Sequence, residues 1–156
     1  MNFMYEKALK HLDSGEFKEA ERALQAYLED NPQDAMAYNK LGLIYAKIKQ
    51  WDKAKAYFSE ALKINPQLVH ALNNLGNIAR QEGDLVRAKE YYEKALEVDP
   101  TFSAPHNNLA IVNKQLRRFP GILSELALVL SQGRQGESGT IFIKLRRLLG
   151  LEKEER

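Results

Sequence analysis

The sequence predicts an all-α chain built as an α-solenoid, an array of helix pairs stacked side by side. Three observations carry this. First, Pro32, Pro66 and Pro100 stand 34 residues apart, each ending an Asn-Pro or Asp-Pro step, and Leu62-Lys63-Ile64-Asn65-Pro66 nearly repeats in Leu96-Glu97-Val98-Asp99-Pro100. A fixed period in this range marks a repeat array. Second, cutting the chain at that period aligns small residues at Ala8, Gly42, Gly76 and Ala110, and at Ala20, Ala54 and Ala88. Large residues align at Phe17, Trp51, Leu85 and Phe119, and at Leu24, Phe58, Tyr92 and Leu126. Helices packed at short distance need small residues where backbones approach and large ones where gaps must be filled. Third, no segment of useful length alternates as a strand would.

The period divides the chain into windows 1–34, 35–68, 69–102 and 103–136, followed by a tail, all in one domain spanning 1–156. Each window is expected to hold two helices. At roughly 100° per residue, Tyr38, Leu41, Gly42 and Tyr45 form one buried stripe, repeated by Leu72, Leu75, Gly76 and Ala79. Ser14-Gly15 and Glu82-Gly83 end first helices, with glycine just past the last turn. Asn31-Pro32, Asn65-Pro66 and Asp99-Pro100 separate one pair from the next, because the residue before proline is pushed out of the helical region. The fourth window is degenerate: Pro120-Gly121 and Arg134 break its pattern, although Leu109-Ala110, Phe119 and Leu126 keep it in phase. After the glycine-rich run Gly133 to Gly139, read as a linker, a last helix is expected over about 139–152. Its apolar face, Ile141, Phe142, Leu145, Leu148 and Leu149, suits a cap over the exposed end of the array. A membrane-surface helix or a dimer contact is the alternative use of that face.

The residues Leu41-Gly42, Tyr45, Ala54, Phe58, Ala61 and Pro66, and then Leu75-Gly76, Ala88, Tyr92, Ala95 and Pro100, resemble the tetratricopeptide repeat (TPR) family. The match is close for windows two and three and good for the second half of window one. Lys7 and His11 depart from it, as suits an outermost helix with no preceding neighbour. The resemblance implies a right-handed superhelix of about four TPR helix pairs plus a C-terminal capping helix.

Composition narrows the function classes. With 156 residues, 44% hydrophobic, the chain can bury a sizeable core. Its 23 basic and 21 acidic side chains leave a net charge of +2, which gives no reason to expect nucleic acid. RNA-binding helical-hairpin repeats run longer and are more basic. The chain has no cysteine, so thiolate chemistry is excluded. The start reads as no signal peptide, and no run approaches the roughly 20 apolar residues of a membrane span, so a cytoplasmic location is expected and membrane association is not. His11, His70 and His106 lack metal-ligand spacing, the glycine run carries no phosphate-loop lysine, and no serine sits in a nucleophile elbow. No enzyme, metal or cofactor is expected.

Surface remains, and the resemblance implies which surface: the face of each first helix turned away from its buried stripe, which lines the ligand groove in this family. Window two offers Met36, Asn39, Lys40, Leu43 and Lys47 there; window three His70, Asn73, Asn74, Asn77, Arg80 and Gln81; window four Ala104, Asn107, Asn108, Ile111, Lys114 and Gln115. The file Asn39, Asn73 and Asn107, with Asn74 and Asn108 beside it, is similar to the asparagine ladder of O-GlcNAc transferase repeats and to the Asn-Asn-Leu pattern of kinesin light chains. Amides offer donor and acceptor together and can hold the backbone of an extended peptide. The cations between them favour a partner with acidic side chains or a free C-terminus. The lysine, asparagine and arginine set with which chaperone-binding members grip a terminal carboxylate is not matched, since Tyr5 or Asn39, Leu9 or Leu43, and Asn74 or Asn108 stand in its columns. The expected function is therefore a protein-interaction scaffold or adaptor that takes an extended peptide segment, with head-to-tail self-assembly into homo-oligomers as the alternative.

Overall fold

The computed structural model describes residues 3–117, which form seven α-helices. They are α1 (Phe3–Asp13), α2 (Phe17–Asp30), α3 (Ala35–Lys47), α4 (Trp51–Ile64), α5 (Val69–Gln81), α6 (Leu85–Val98) and α7 (Ser103–Arg117). No strand occurs among the described residues. They make three helix pairs and the first helix of a fourth. Phe119, Leu126, the second helix of the fourth window, the linker at 133–139 and the expected cap at 139–152 lie outside the described residues.

The helices end where the sequence stops supporting them. The turn inside each pair closes with the same wide bond, Glu16 N–H to His11 O (2.8 Å), Gln50 to Tyr45 (2.9 Å) and Asp84 to Ala79 (2.9 Å). That pattern requires a left-handed residue just past the helix. Gly15 (φ 75°) and Gly83 (φ 82°) supply it, and in the second pair Lys49 adopts it without being glycine (φ 61°). Between pairs, Asn31, Asn65 and Asp99 leave the helical region, with φ between −130° and −134°, ahead of their prolines. Asn65 and Asp99 then accept backbone N–H bonds from Gln67 (3.0 Å) and Thr101 (2.9 Å), which tightens each turn. Asp34 caps α3 by accepting from Met36 N–H (2.8 Å) and Ala37 N–H (3.1 Å). Its other oxygen accepts from the Tyr27 hydroxyl (2.7 Å), so one carboxylate ties α2 to α3.

Packing follows the columns of small and large residues. Ala20, Ala54 and Ala88 are fully buried, as are Leu24, Phe58 and Tyr92, the large residues one turn further along each second helix. Leu24 shares a core with Ala8, Phe58 lies against Gly42, and Tyr92 lies against Gly76. Each such large side chain contributes about 1.5–3 kcal/mol of burial. The pairs then stack through a second contact: α2 packs on α3, α4 on α5 and α6 on α7, while α3 also meets α5 and α5 meets α7. First helices are therefore enclosed on more than one side. In α5, Ala71, Asn73 and Ile78 are buried besides the expected Leu72, Leu75, Gly76 and Ala79.

Candidate functional site on the first-helix face

Because α3, α5 and α7 stand side by side, their outward residues form one continuous face. The charge on these helices is one-sided. Lys40 and Lys47 in α3, Arg80 in α5, and Lys114 and Arg117 in α7 are their charged side chains apart from histidine, and none of the three contains Asp or Glu. Acidic residues stand instead on α1, as Glu6 and Asp13, and on second helices, as in Glu19, Glu21, Glu29 and Asp30 of α2 or Glu90, Glu93 and Glu97 of α6. Some cations on second helices are matched: Lys55 pairs with Asp52 (3.1 Å) and with Glu82 at the end of α5 (2.7 Å), and Lys63 with Glu60 (2.7 Å). A face of one charge sign attracts the opposite sign.

The asparagines expected on this face are arranged at three depths. Asn39 (4% exposed) and Asn73 (8%) are buried, while Asn74, Asn77 and Asn108 are half-buried and Asn107 is exposed. The buried ones accept from the next pair: Asn74 Nδ2 donates to Asn39 Oδ1 (3.2 Å), and Asn108 Nδ2 donates to Asn73 Oδ1 (3.1 Å). Asn39 and Asn73 thus stand at equivalent places, as the period expects, and their carbonyls serve neighbouring first helices. Both bonds join residues 35 apart, one period plus one.

A further polar group enters from below. The Tyr92 hydroxyl, on α6, donates to Asn77 Oδ1 (2.8 Å), which also accepts from Asn108 Nδ2 (3.0 Å). Burial raises the Tyr92 pKa, and the nearby Arg80 guanidinium pulls against that rise. Nothing in the spacing of α5 announces Tyr92. The available signal was the hydroxyl in a column otherwise held by Leu24, Phe58 and Leu126.

The remaining expected residues divide by exposure. Lys40 and Leu43 are half-buried, and Lys47, Ile111 and Lys114 are exposed. His70, also exposed, sets its ring edge-on to Phe102 at 5.1 Å. His106 Nε2 bonds the Pro100 carbonyl (2.7 Å), and His11 Nδ1 meets the Glu16 carboxylate. Among the described residues no cluster of three or more His, Asp or Glu could hold a metal ion, and no helix is long and apolar enough to cross a membrane.

Two models of the tetratricopeptide repeat match the chain, one over residues 5–69 and the next over residues 69–102. The chain belongs to the tetratricopeptide repeat family. Among solved structures, this TPR chain is similar to the first TPR of Spaghetti (RPAP3) bound to the HSP90 peptide SRMEEVD, with a TM-score of 0.68 and 22% identity, covering 73% of this chain and 90% of that one. It is similar to the first TPR domain of human RPAP3, with a TM-score of 0.69 and 22% identity, covering 74% and 91%. A Thermobaculum terrenum O-GlcNAc transferase matches with a TM-score of 0.65 and 25% identity over 70% of this chain, but over only 21% of the enzyme. No curated protein matches the chain. These likenesses establish the fold as that of TPR domains.

Proposed function

We propose that this TPR domain is a non-enzymatic adaptor that binds an extended segment of another protein along the groove of its first helices. The observation that carries the reading is the absence of any Asp or Glu from α3, α5 and α7 beside Lys40, Lys47, Arg80, Lys114 and Arg117. Unmatched cations on one face favour an acidic partner, and the half-buried amides of Asn74, Asn77 and Asn108 offer hydrogen bonds to its backbone. The Spaghetti TPR, in a similar fold, is bound to a peptide. The terminal-carboxylate grip of chaperone-binding family members is not proposed here, because the lysine, asparagine and arginine columns of that grip hold other residues.

The test compares partners captured by wild type, by Lys40→Glu with Lys114→Glu, and by Arg87→Glu on α6. The adaptor reading expects the captured partner to be lost with the groove pair, retained with Arg87→Glu, and held more weakly as salt rises, since exposed charges are screened within roughly 8–10 Å. Loss confined to Arg87→Glu would move the interface to the second helices. Self-assembly is the second reading, favoured by Phe3, which is 72% exposed on α1. A mass by light scattering that grows with concentration and falls back in Phe3→Ser would favour it.

A further inference from the structure

The third helix pair carries a polar device that the second lacks. Tyr92 passes beneath Gly76, where its ring lies 2.5 Å from the position a β-carbon would take, and so its hydroxyl reaches the first-helix face at Asn77 Oδ1 (2.8 Å). Asn108 donates to the same oxygen from α7 (3.0 Å). A carbonyl oxygen has two lone pairs, and both are now engaged. The orientation of the Asn77 amide is thereby fixed with its NH2 group left to donate, and that group has no partner among the described residues.

One turn further along α5 stands Arg80. Its Nε is buried without a hydrogen-bond partner, and its guanidinium has no ion pair among the described residues. A half-buried guanidinium, near the Tyr92 hydroxyl but facing no carboxylate, beside the Asn77 amide NH2 on three helices free of Asp and Glu, is a set of donors without a charged acceptor. A carboxylate complements it, because guanidinium–carboxylate bonds are charge-assisted and can be bidentate. In the second pair the corresponding positions are Phe58, Leu43 and Ala46, which cannot build such a set. Leu43 and Ile111, the residues equivalent to Asn77 on α3 and α7, put an apolar side chain on either side. Neighbouring helices lie about 8–10 Å apart and extended chain advances about 3.3 Å per residue, so about three residues of peptide separate adjacent positions.

We infer that Asn77 and Arg80 bind the side-chain carboxylate of an Asp or Glu within an extended partner segment, with apolar residues about three positions away on each side resting against Leu43 and Ile111. Tyr92 and Asn108 act as positioning residues that aim the Asn77 amide. The inference rests on the groove reading above.

The probe is a library of random peptides displayed with both ends fused, selected on the full chain. Recovered sequences are then made as acetylated, amidated peptides and measured by fluorescence anisotropy. Expected are peptides sharing one acidic position flanked by apolar ones. Exchanging that acid for its amide should weaken binding about ten- to a hundred-fold on wild type, the range of a hydrogen bond to a charged group. On Arg80→Gln, checked for unchanged melting, the same exchange should have almost no effect. Tyr92→Phe keeps the ring under Gly76 and should reduce the exchange effect several-fold. Equal weakening on wild type and Arg80→Gln, or peptides with no common acid, would overturn the site. So would binding that needs a free C-terminus. Peptides lost on Leu43→Asp yet indifferent to Arg80→Gln would remove the carboxylate site and keep the groove. Peptides indifferent to both, or none recovered, would remove both.

Discussion

The ring of Tyr92 occupies the space in which a side chain at Gly76 would begin: a β-carbon there would lie 2.5 Å from Tyr92 Cε1 and 2.8 Å from Cδ1. Tyr92 cannot easily give way, being fully buried and tethered through its hydroxyl to Asn77. Gly76→Ala should therefore destabilise the protein by about 1–3 kcal/mol through overpacking. Helix propensity alone would predict a gain of about 0.8–1.0 kcal/mol. Gly42→Ala meets Phe58 at 2.6 Å, but that ring has no hydrogen bond to hold it, so a smaller loss is expected. Urea denaturation of both variants decides the matter, and an alanine at position 76 that stabilises would refute the packing argument.

Lys49 marks a different kind of strain. Its φ of 61° places it in the left-handed region that Gly15 and Gly83 occupy at the equivalent turns of the neighbouring pairs. A side chain in that conformation costs roughly 1–2 kcal/mol, partly offset because glycine loses more entropy on folding. Lys49→Gly should accordingly raise stability by up to about 1 kcal/mol. A thermal melt that fails to rise would mean that the turn relaxes around lysine.

These two sites illustrate what the sequence could convey. The columns of Ala20, Ala54 and Ala88 and of Leu24, Phe58 and Tyr92 made the helix pairs legible, because period and residue size act within one repeat. Lys49 was not legible as a left-handed residue, since its type carries no such signal and only the matching bond from Gln50 to Tyr45 reveals it. The helical period placed Asn39 and Asn73 on an outward face of their own helices. It could not register that the next first helix covers that face, because burial there depends on the stacking of pairs. Glu21 with Tyr45, 24 residues apart, escaped for the same reason, whereas Tyr92 with Asn77, 15 apart within one pair, escaped because the period places a ring but not the reach of its hydroxyl.

The Tyr45 hydroxyl donates to the Glu21 carboxylate across the junction of the first and second pairs. That bond, then burial, raises the Tyr45 pKa well above its ordinary value of 10.0. The fold thus favours the protonated phenol. Its stabilisation is complete below about pH 10 and is lost as pH climbs through the raised value. In an alkaline titration followed by tyrosinate absorbance, Tyr45→Phe should remove the last group to ionise, and Glu21→Gln should move that step to lower pH. A Tyr45 step coinciding with ordinary exposed tyrosines would show that the junction bond does not persist in solution.

Asn108 links two amides at once, donating to Asn73 Oδ1 at 3.1 Å and Asn77 Oδ1 at 3.0 Å. Asn77 would keep the Tyr92 hydroxyl if Asn108 were truncated, but the oxygen of buried Asn73 would be stranded. Leaving a buried acceptor unsatisfied costs about 1–3 kcal/mol, so Asn108→Ala should destabilise by that order. Combining it with Asn73→Ala should cost less than the sum of the single changes, by about 0.5–1.5 kcal/mol, as expected for partners in one hydrogen bond. Asn107→Ala is the informative control. Asn107 is exposed and makes no side-chain hydrogen bond among the described residues, so its removal should stay within about 0.5 kcal/mol of wild type. Any effect of Asn107→Ala on peptide affinity would therefore report the groove itself, whereas a loss of binding in Asn108→Ala must first be corrected for stability. Equal destabilisation by Asn107→Ala and Asn108→Ala in urea would mean that the amide chain does not hold the first helices together.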